Sequence, residues 1–134
     1  MKGSVNLSIN NGIGKIEFFH PQSNSLPTSI LRDLAGTIHD CGKNEKIKII
    51  ILQSKGERVF CAGASFDELS SISNYEEGKS FFMGFANVIN ACRKCPKLII
   101  CRVQGKAVGG GVGLACAGDY SFATKFSSIK LSEL

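Results

Sequence analysis

Polar and apolar residues alternate over Ser4–Asn10, with Val5, Leu7 and Ile9 on one side and Ser4, Asn6 and Ser8 on the other. A period of two predicts a strand with one buried face. The Asn10-Asn11-Gly12 step that follows is a hairpin signal, and Ile13–Phe19 is the returning strand. The segment from His20 to Pro27 reads as a loop. The period then changes: Ile30, Leu31, Leu34, Ile38 and Cys41 recur at helical spacing and predict an amphipathic helix over 28–41, with Gly42 placed as its C-cap. Residues 47–54, "IKIIILQS", form a continuous apolar, β-branched run, which predicts a strand covered on both faces and hence a parallel sheet. A loop over 55–65 carries Gly56 and Gly63, and a short helix is expected at 66–71. Phe81, Phe82, Phe85, Val88, Ile89 and Cys92 mark a long helix over about 75–94, which Pro96 stops. A second buried strand, "LIICRV" at 98–103, precedes a glycine-rich stretch with its helix, and further strands are expected at 119–123 and 128–131.

A hairpin followed by repeated strand–helix–strand units is an α/β order. The 134 residues suit one domain, and 43% hydrophobic with 20% charged residues is an ordinary globular composition. No apolar run approaches the roughly 20 residues of a membrane helix. The start, "MKGSVNLSINNG", has no apolar segment after its lysine, so a cytoplasmic location is expected and no membrane partner. The formal charge of +5 serves either solubility or an anionic partner. The basic residues are scattered and no aromatic RNA-binding signature accompanies them, which argues against nucleic acid. Of the six cysteines, Cys61, Cys101 and Cys116 lie in apolar or glycine-rich runs and read as small hydrophobes, reduced rather than bridged. Cys92 and Cys95 form one CxxC with no second pair, and His20 and His39 have no ligand spacing, so no metal site is expected.

The candidate chemistry lies in "KAVGGGVGLACAGD", Lys106 to Asp119. A dinucleotide fingerprint fails here, because no glycine has glycines at both +2 and +5. A P-loop ending on Gly78-Lys79-Ser80 fails too: Ser73 stands where the first glycine belongs, and the segment lies within the long predicted helix. What remains is a helix start with bare backbone. Its first N–H groups lack intrahelical partners, and a ligand oxygen can approach them closely where there is no Cβ. Such donors suit charge developing on a carbonyl oxygen. Tight packing of the helix on a sheet explains the same glycines, and spacing alone does not separate the two. "FCAGAS", Phe60 to Ser65, is a second small-residue strand exit, and one N–H from each exit would clamp a single oxygen.

"VFCAGASFDEL" followed by "VQGKAVGGGVGLACAGDYSFAT" resembles the paired motifs of the enoyl-CoA hydratase/isomerase (crotonase) superfamily, and "HPQSNSLPTSILRDL" resembles that family's early loop and helix. The resemblance spans essentially all of residues 1–134. It implies a crotonase-like spiral of βαβ turns, of which these residues are expected to be the N-terminal part with the C-terminal half absent, exposing apolar surface. It also implies assembly as a homo-oligomer, a trimer or pair of trimers. The implied ligand is an acyl-CoA thioester, with coenzyme A entering as part of the substrate and no permanently bound cofactor. Matched position by position, the oxyanion hole would be the N–H groups of Ala64 and Gly110. Ala62, Ser65, Phe66, Asp67 and Gly109 would line the substrate and CoA path.

The sequence departs from the family pattern at one catalytic position. Where the hydratases carry glutamate in the second motif, "GGGVGL" places Gly113, which has no side chain to act with. The later family glutamate aligns best with Glu133, although the proline that precedes it in the family is missing. A single carboxylate suits a proton shuttle, so the resemblance with this departure favours an enoyl-CoA isomerase. Hydration or decarboxylation is the alternative, and a non-catalytic CoA-ester or protein-binding member is a third reading. Asp119 reads as structural at a strand start, and Glu68 as a solvated acid of the short helix.

Overall fold

The computed structural model describes residues 2–132. Its elements are β1 (Ser4–Asn10), β2 (Ile13–Phe19), β3 (Ser25–Leu26), α1 (Thr28–Lys43), β4 (Ile49–Ser54), β5 (Val59–Cys61), β6 (Gly63–Ala64), α2 (Phe66–Ser71), α3 (Tyr75–Lys94), β7 (Leu98–Val103), β8 (Lys106–Val108), α4 (Gly110–Ala115), β9 (Tyr120–Ala123) and β10 (Ile129–Lys130). The long strands form a five-stranded sheet in the order β1-β2-β4-β7-β9, antiparallel only between β1 and β2. The short strands build a second, parallel sheet in the order β10-β8-β5, and β3 pairs with β6. From β4 onward, each turn begins with a long strand and continues into short strands, with α2 and α3 closing the first turn and α4 the second, and successive turns stack side by side. This is the crotonase-type α/β spiral that the motifs imply.

Alternation within the long strands fixes which side is packed. Ile50, Leu52 and Ser54 of β4 and Ile99, Cys101 and Val103 of β7 are buried, and α1 and α3 lie over them through Leu31, Leu34, Ile38, Val88 and Cys92. The apolar runs at 47–54 and 98–103 are therefore covered fully on one face only. On the other, Leu98, Tyr120 and Phe122 remain 47%, 65% and 48% exposed. β1 also departs from its half-buried expectation. It is the edge strand, and only Val5 packs against the core, while Leu7 and Ile9 on the same face stay exposed.

Gly42 does not cap α1. The helix continues through it to Lys43, and Gly42 lies against Pro96 and Cys95: a Cβ there would meet Pro96 Cδ at 3.2 Å. The helix end is closed instead by Lys97, whose ammonium donates to the carbonyls of Cys41 (2.7 Å) and Asn44. The buried stripe of α3 is Phe81, Gly84, Val88 and Cys92, and Phe82 points outward. The expected loop over 55–65 contains β5 and β6, too short for a periodic signal. Four of the six free cysteines, Cys41, Cys61, Cys92 and Cys101, are buried as small apolar groups. Among the described residues, no helix is long and apolar enough to cross a membrane.

Asn24 ties the early loop to this frame. It sits in the left-handed region at φ 54°, which asparagine tolerates better than most residues. It accepts from the His20 N–H (2.8 Å) and donates to the carbonyls of Lys55 (3.0 Å) and Val59 (3.1 Å). Its replacement by alanine removes all three bonds from part-buried backbone groups, each worth about 0.5–1.5 kcal/mol. Asn24→Ala is expected to lower stability by about 2–4 kcal/mol in urea unfolding. A loss below about 0.5 kcal/mol would show that water replaces the amide at no cost.

Candidate active site

Two strand exits from neighbouring turns come together because β5 and β8 are paired. Both strands run parallel, with Val59 opposite Lys106 and Cys61 opposite Ala107, and a bulge falls between the two pairs. Their C-terminal ends therefore emerge side by side. One continues into Ala62–Ala64 and the other into Gly109–Gly110. The approach is close: a Cβ on Gly63 would lie 3.1 Å from the Val108 carbonyl oxygen and 3.6 Å from the Gly110 nitrogen.

Each of the three consecutive glycines has its own cause. Gly109 takes φ 56°, ψ −124°, a conformation that side-chain-bearing residues avoid, and its N–H donates to the Lys130 carbonyl at 3.0 Å. Gly110 faces the ring of Phe85, three of whose carbons lie 2.9 Å from the position a Cβ would take. Gly111 rests on β5, where a Cβ would fall 2.2 Å from the Cys61 carbonyl oxygen. Helix-on-sheet packing thus accounts for Gly111, and the bared backbone of Gly109 and Gly110 opens onto a cavity. As the first residue of α4, Gly110 has no intrahelical partner for its N–H. Among the described residues, no loop or cap backbone bond takes that N–H either.

The cavity measures about 630 Å³ and is walled by Ala62, Gly63, Ala64, Ser65, Phe66, Leu69, Phe81, Phe82, Phe85, Val108, Gly109, Gly110 and Ser132. The predicted residues Ala62, Ala64, Ser65, Phe66, Gly109 and Gly110 all meet here. Asp67 does not line this wall, and its carboxylate accepts from the Gln22 amide at 2.7 Å. Glu133 lies outside the described residues, but Ser132 before it is on the wall. Gly113 is one turn along α4 from Gly110, and a Cβ there would meet Ile89 Cδ1 at 3.2 Å. Among the described residues the wall has no charged side chain.

The neighbouring polar residues hold the frame. Ser65 caps α2 by accepting from the Glu68 N–H at 3.3 Å. Glu68 is not merely solvated: its carboxylate accepts from the Thr28 N–H at 2.7 Å and caps α1 across 40 residues of chain. Asp119 is structural, as read from its position, with its carboxylate accepting from the Ile99 N–H at 2.8 Å. Gln104 is buried and donates to Ser54 Oγ and the Gly56 carbonyl, both at 2.9 Å, which steadies the approach to β5. His20, beside Asp67, has its pKa lowered by burial, partly offset by that carboxylate. Sequence reasoning did not assign the aromatic wall: Phe81, Phe82 and Phe85 signalled a helix, and no period says which of them faces a cavity. It also missed the cap by Glu68, which pairs residues far apart in the chain.

Comparison with known proteins agrees with this architecture. The sequence profile of the family described as enoyl-CoA hydratase/isomerase matches residues 8–134, and the chain belongs to that family. It is 32% identical over 130 residues to ethylmalonyl-CoA decarboxylase of Xenopus tropicalis, across 96% of this chain and 43% of that protein. It is also 32% identical over 132 residues to the mitochondrial methylglutaconyl-CoA hydratase of Homo sapiens, across 98% of this chain and 36% of that protein. The fold matches an enoyl-CoA hydratase from Bacillus anthracis with a TM-score of 0.88 at 25% identity, covering 99% of this chain and 51% of that one. The chain thus spans less than half the length of those two relatives and about half of that structure.

Two measurements check the local account. Gly111→Ala drives a methyl group into a backbone carbonyl and is expected to cost at least about 3 kcal/mol, whereas Gly36→Ala, with nothing within 4 Å on the exposed side of α1, is expected to stabilise by about 0.5–1 kcal/mol. Equal effects of the two substitutions on the unfolding midpoint would refute the contact with Cys61. Burial pushes the Cys61 thiol up to about 12, so it is almost wholly protonated at pH 8. Alkylation of the native protein at pH 8 followed by peptide mapping is expected to modify the exposed Cys116 and leave Cys61 intact. Rapid labelling of Cys61 would mean that the wall between β5 and α4 is open.

Proposed function

We propose that this chain acts on acyl-CoA thioesters, with the thioester oxygen held between the N–H groups of Ala64 and Gly110, and that its reaction is isomerisation of an enoyl double bond with Glu133 as the acid/base. The observation that carries this reading is the meeting of the two strand exits on one apolar cavity.

The chemistry follows from the charge. Removing a proton from the carbon next to the thioester carbonyl places negative charge on the carbonyl oxygen. Two preorganised N–H donors stabilise that enolate, and one such donor is worth about 3–4 kcal/mol. Phe81, Phe85 and Val108 supply apolar surface for the acyl hydrocarbon beside these donors, and a low local dielectric there strengthens hydrogen bonds to the oxygen. For a 3-enoyl-CoA, Glu133 takes the proton from C2, the electrons spread over C2 to C4 and the oxygen, and the same carboxyl returns a proton at C4. The product is the 2-enoyl-CoA, with no net gain or loss of atoms. Gly113 supports a one-carboxylate scheme, because no side chain there can activate a water. Ser132 on the wall supports the assignment of its neighbour Glu133. The basic balance of +5 is compatible with the phosphates of coenzyme A.

A second reading rests on the two relatives that share 32% identity, a decarboxylase and a hydratase. Loss of CO₂ from a malonyl-type thioester makes the same enolate, and water addition to a 2-enoyl thioester passes through it. Incubation with a 3-enoyl-CoA, crotonyl-CoA and a malonyl-type CoA, followed by product analysis, separates the three. The isomerase reading predicts conversion of the first alone, with kcat reduced by about 100-fold or more in Glu133→Gln. Full activity of that variant removes Glu133 from the mechanism, and hydrated or decarboxylated product favours the second reading. Absence of turnover with all three, while acyl-CoA still binds, leaves a CoA-ester-binding protein.

A further inference from the structure

The requirement for glycine at position 110 is steric rather than conformational. Its backbone has no left-handed φ, unlike Gly109. What excludes a side chain is Phe85, whose Cδ2, Cε2 and Cζ atoms each lie 2.9 Å from the site of a Cβ. The two partners differ in how firmly they are held. Phe85 rides on α3, twenty residues long and anchored in the core through Phe81, Gly84, Val88 and Cys92. Gly110 opens α4, six residues long, which leaves β8 through Gly109 at positive φ. On one flank α4 is stopped by the Cys61 carbonyl against Gly111, and on the other by the Phe85 ring against Gly110. The ring is also part of the cavity wall.

We infer that Phe85 is a positioning residue: its ring fixes where the Gly110 N–H stands, and an acyl group packed on that ring holds the donor in place. The inference rests on the acyl-CoA reading above and adds to it a link between the hydrocarbon wall and the carbonyl donor. A donor displaced by a fraction of an ångström still accompanies a bound substrate, but it no longer matches the oxygen on which charge develops. The loss therefore falls on kcat more than on KM.

The test uses the whole chain and butyryl-CoA labelled with ¹³C at the thioester carbonyl, read by isotope-edited difference infrared spectroscopy. Hydrogen bonds to the carbonyl lower its stretching frequency. The wild type is expected to bind the ester with a clear downshift from its frequency in water. Phe85→Leu is expected to bind within about fivefold of the wild type, to lose at least half of the downshift, and to lower kcat on the turned-over substrate about tenfold to a hundredfold with KM within threefold. Phe82→Leu, which trims an exposed wall residue that does not meet Gly110, is expected to weaken binding a few-fold and leave the carbonyl band in place. Placing a methyl in the vacated space, as Phe85→Leu with Gly110→Ala, is expected to recover part of the downshift. Phe85→Met, closer in volume, serves in place of leucine if that variant does not fold. A full downshift in the folded Phe85 variant overturns the inference and leaves the acyl-CoA reading standing. Failure of the wild type to bind any acyl-CoA overturns that reading, and the inference with it.

Discussion

The parallel pairing of β5 with β8 is the constraint on which the site depends. Neither strand exceeds three residues, so neither is stable by itself. Each is the second strand of its own turn, and the spiral places successive turns in contact. Parallel pairing requires that both chains leave the same edge of the sheet, which brings Ala62–Ala64 beside Gly109–Gly110 although more than forty residues separate them. Backbone groups brought together this way are placed by the fold and need no side-chain ordering to assemble.

The polar residues around this pairing hold it in place. Asn24 and Gln104 both bond to carbonyls at the approach to β5 and at its first residue, and Glu68 connects α2 to the start of α1. Burying such groups is unfavourable unless they are paired, so each fixes a geometry as well as adding a modest net stabilisation. The wall of the cavity is built on the opposite principle. It carries aromatic and aliphatic surface from α2 and α3 and, among the described residues, no charge. The rigid polar frame and the apolar wall meet at Gly110.

Much of this was legible in the sequence. Helical periodicity located α1 and α3 within two residues at each end, and the apolar runs located β4 and β7. The paired motifs pointed to Ala64 and Gly110, which do line one cavity. The departures share a physical origin in long-range context. Leu7 and Ile9 have the pattern of a buried face, but β1 is the edge of the sheet and whether its face is buried depends on what packs over it. Gly42 has the identity of a C-cap, but Pro96, which follows α3, lies against it, where a Cβ would be a tight 3.2 Å from Pro96 Cδ. Glu68 reads as a surface acid because its partner is 40 residues away.

The same distinction explains the run of three glycines. A glycine in sequence signals only a missing side chain, and three different obstacles require that absence here: a backbone angle at Gly109, an aromatic ring at Gly110 and a carbonyl oxygen at Gly111. Gly113 differs from all three. Its neighbour is the end of the flexible Ile89 side chain at 3.2 Å, not a ring or backbone. Packing therefore forbids a side chain at 110 and 111 but only discourages one at 113, the position where hydratases of the family carry glutamate. The bar to a side chain at 113 is thus weaker than at 110 or 111, because a side-chain end yields more readily than a ring or a backbone carbonyl.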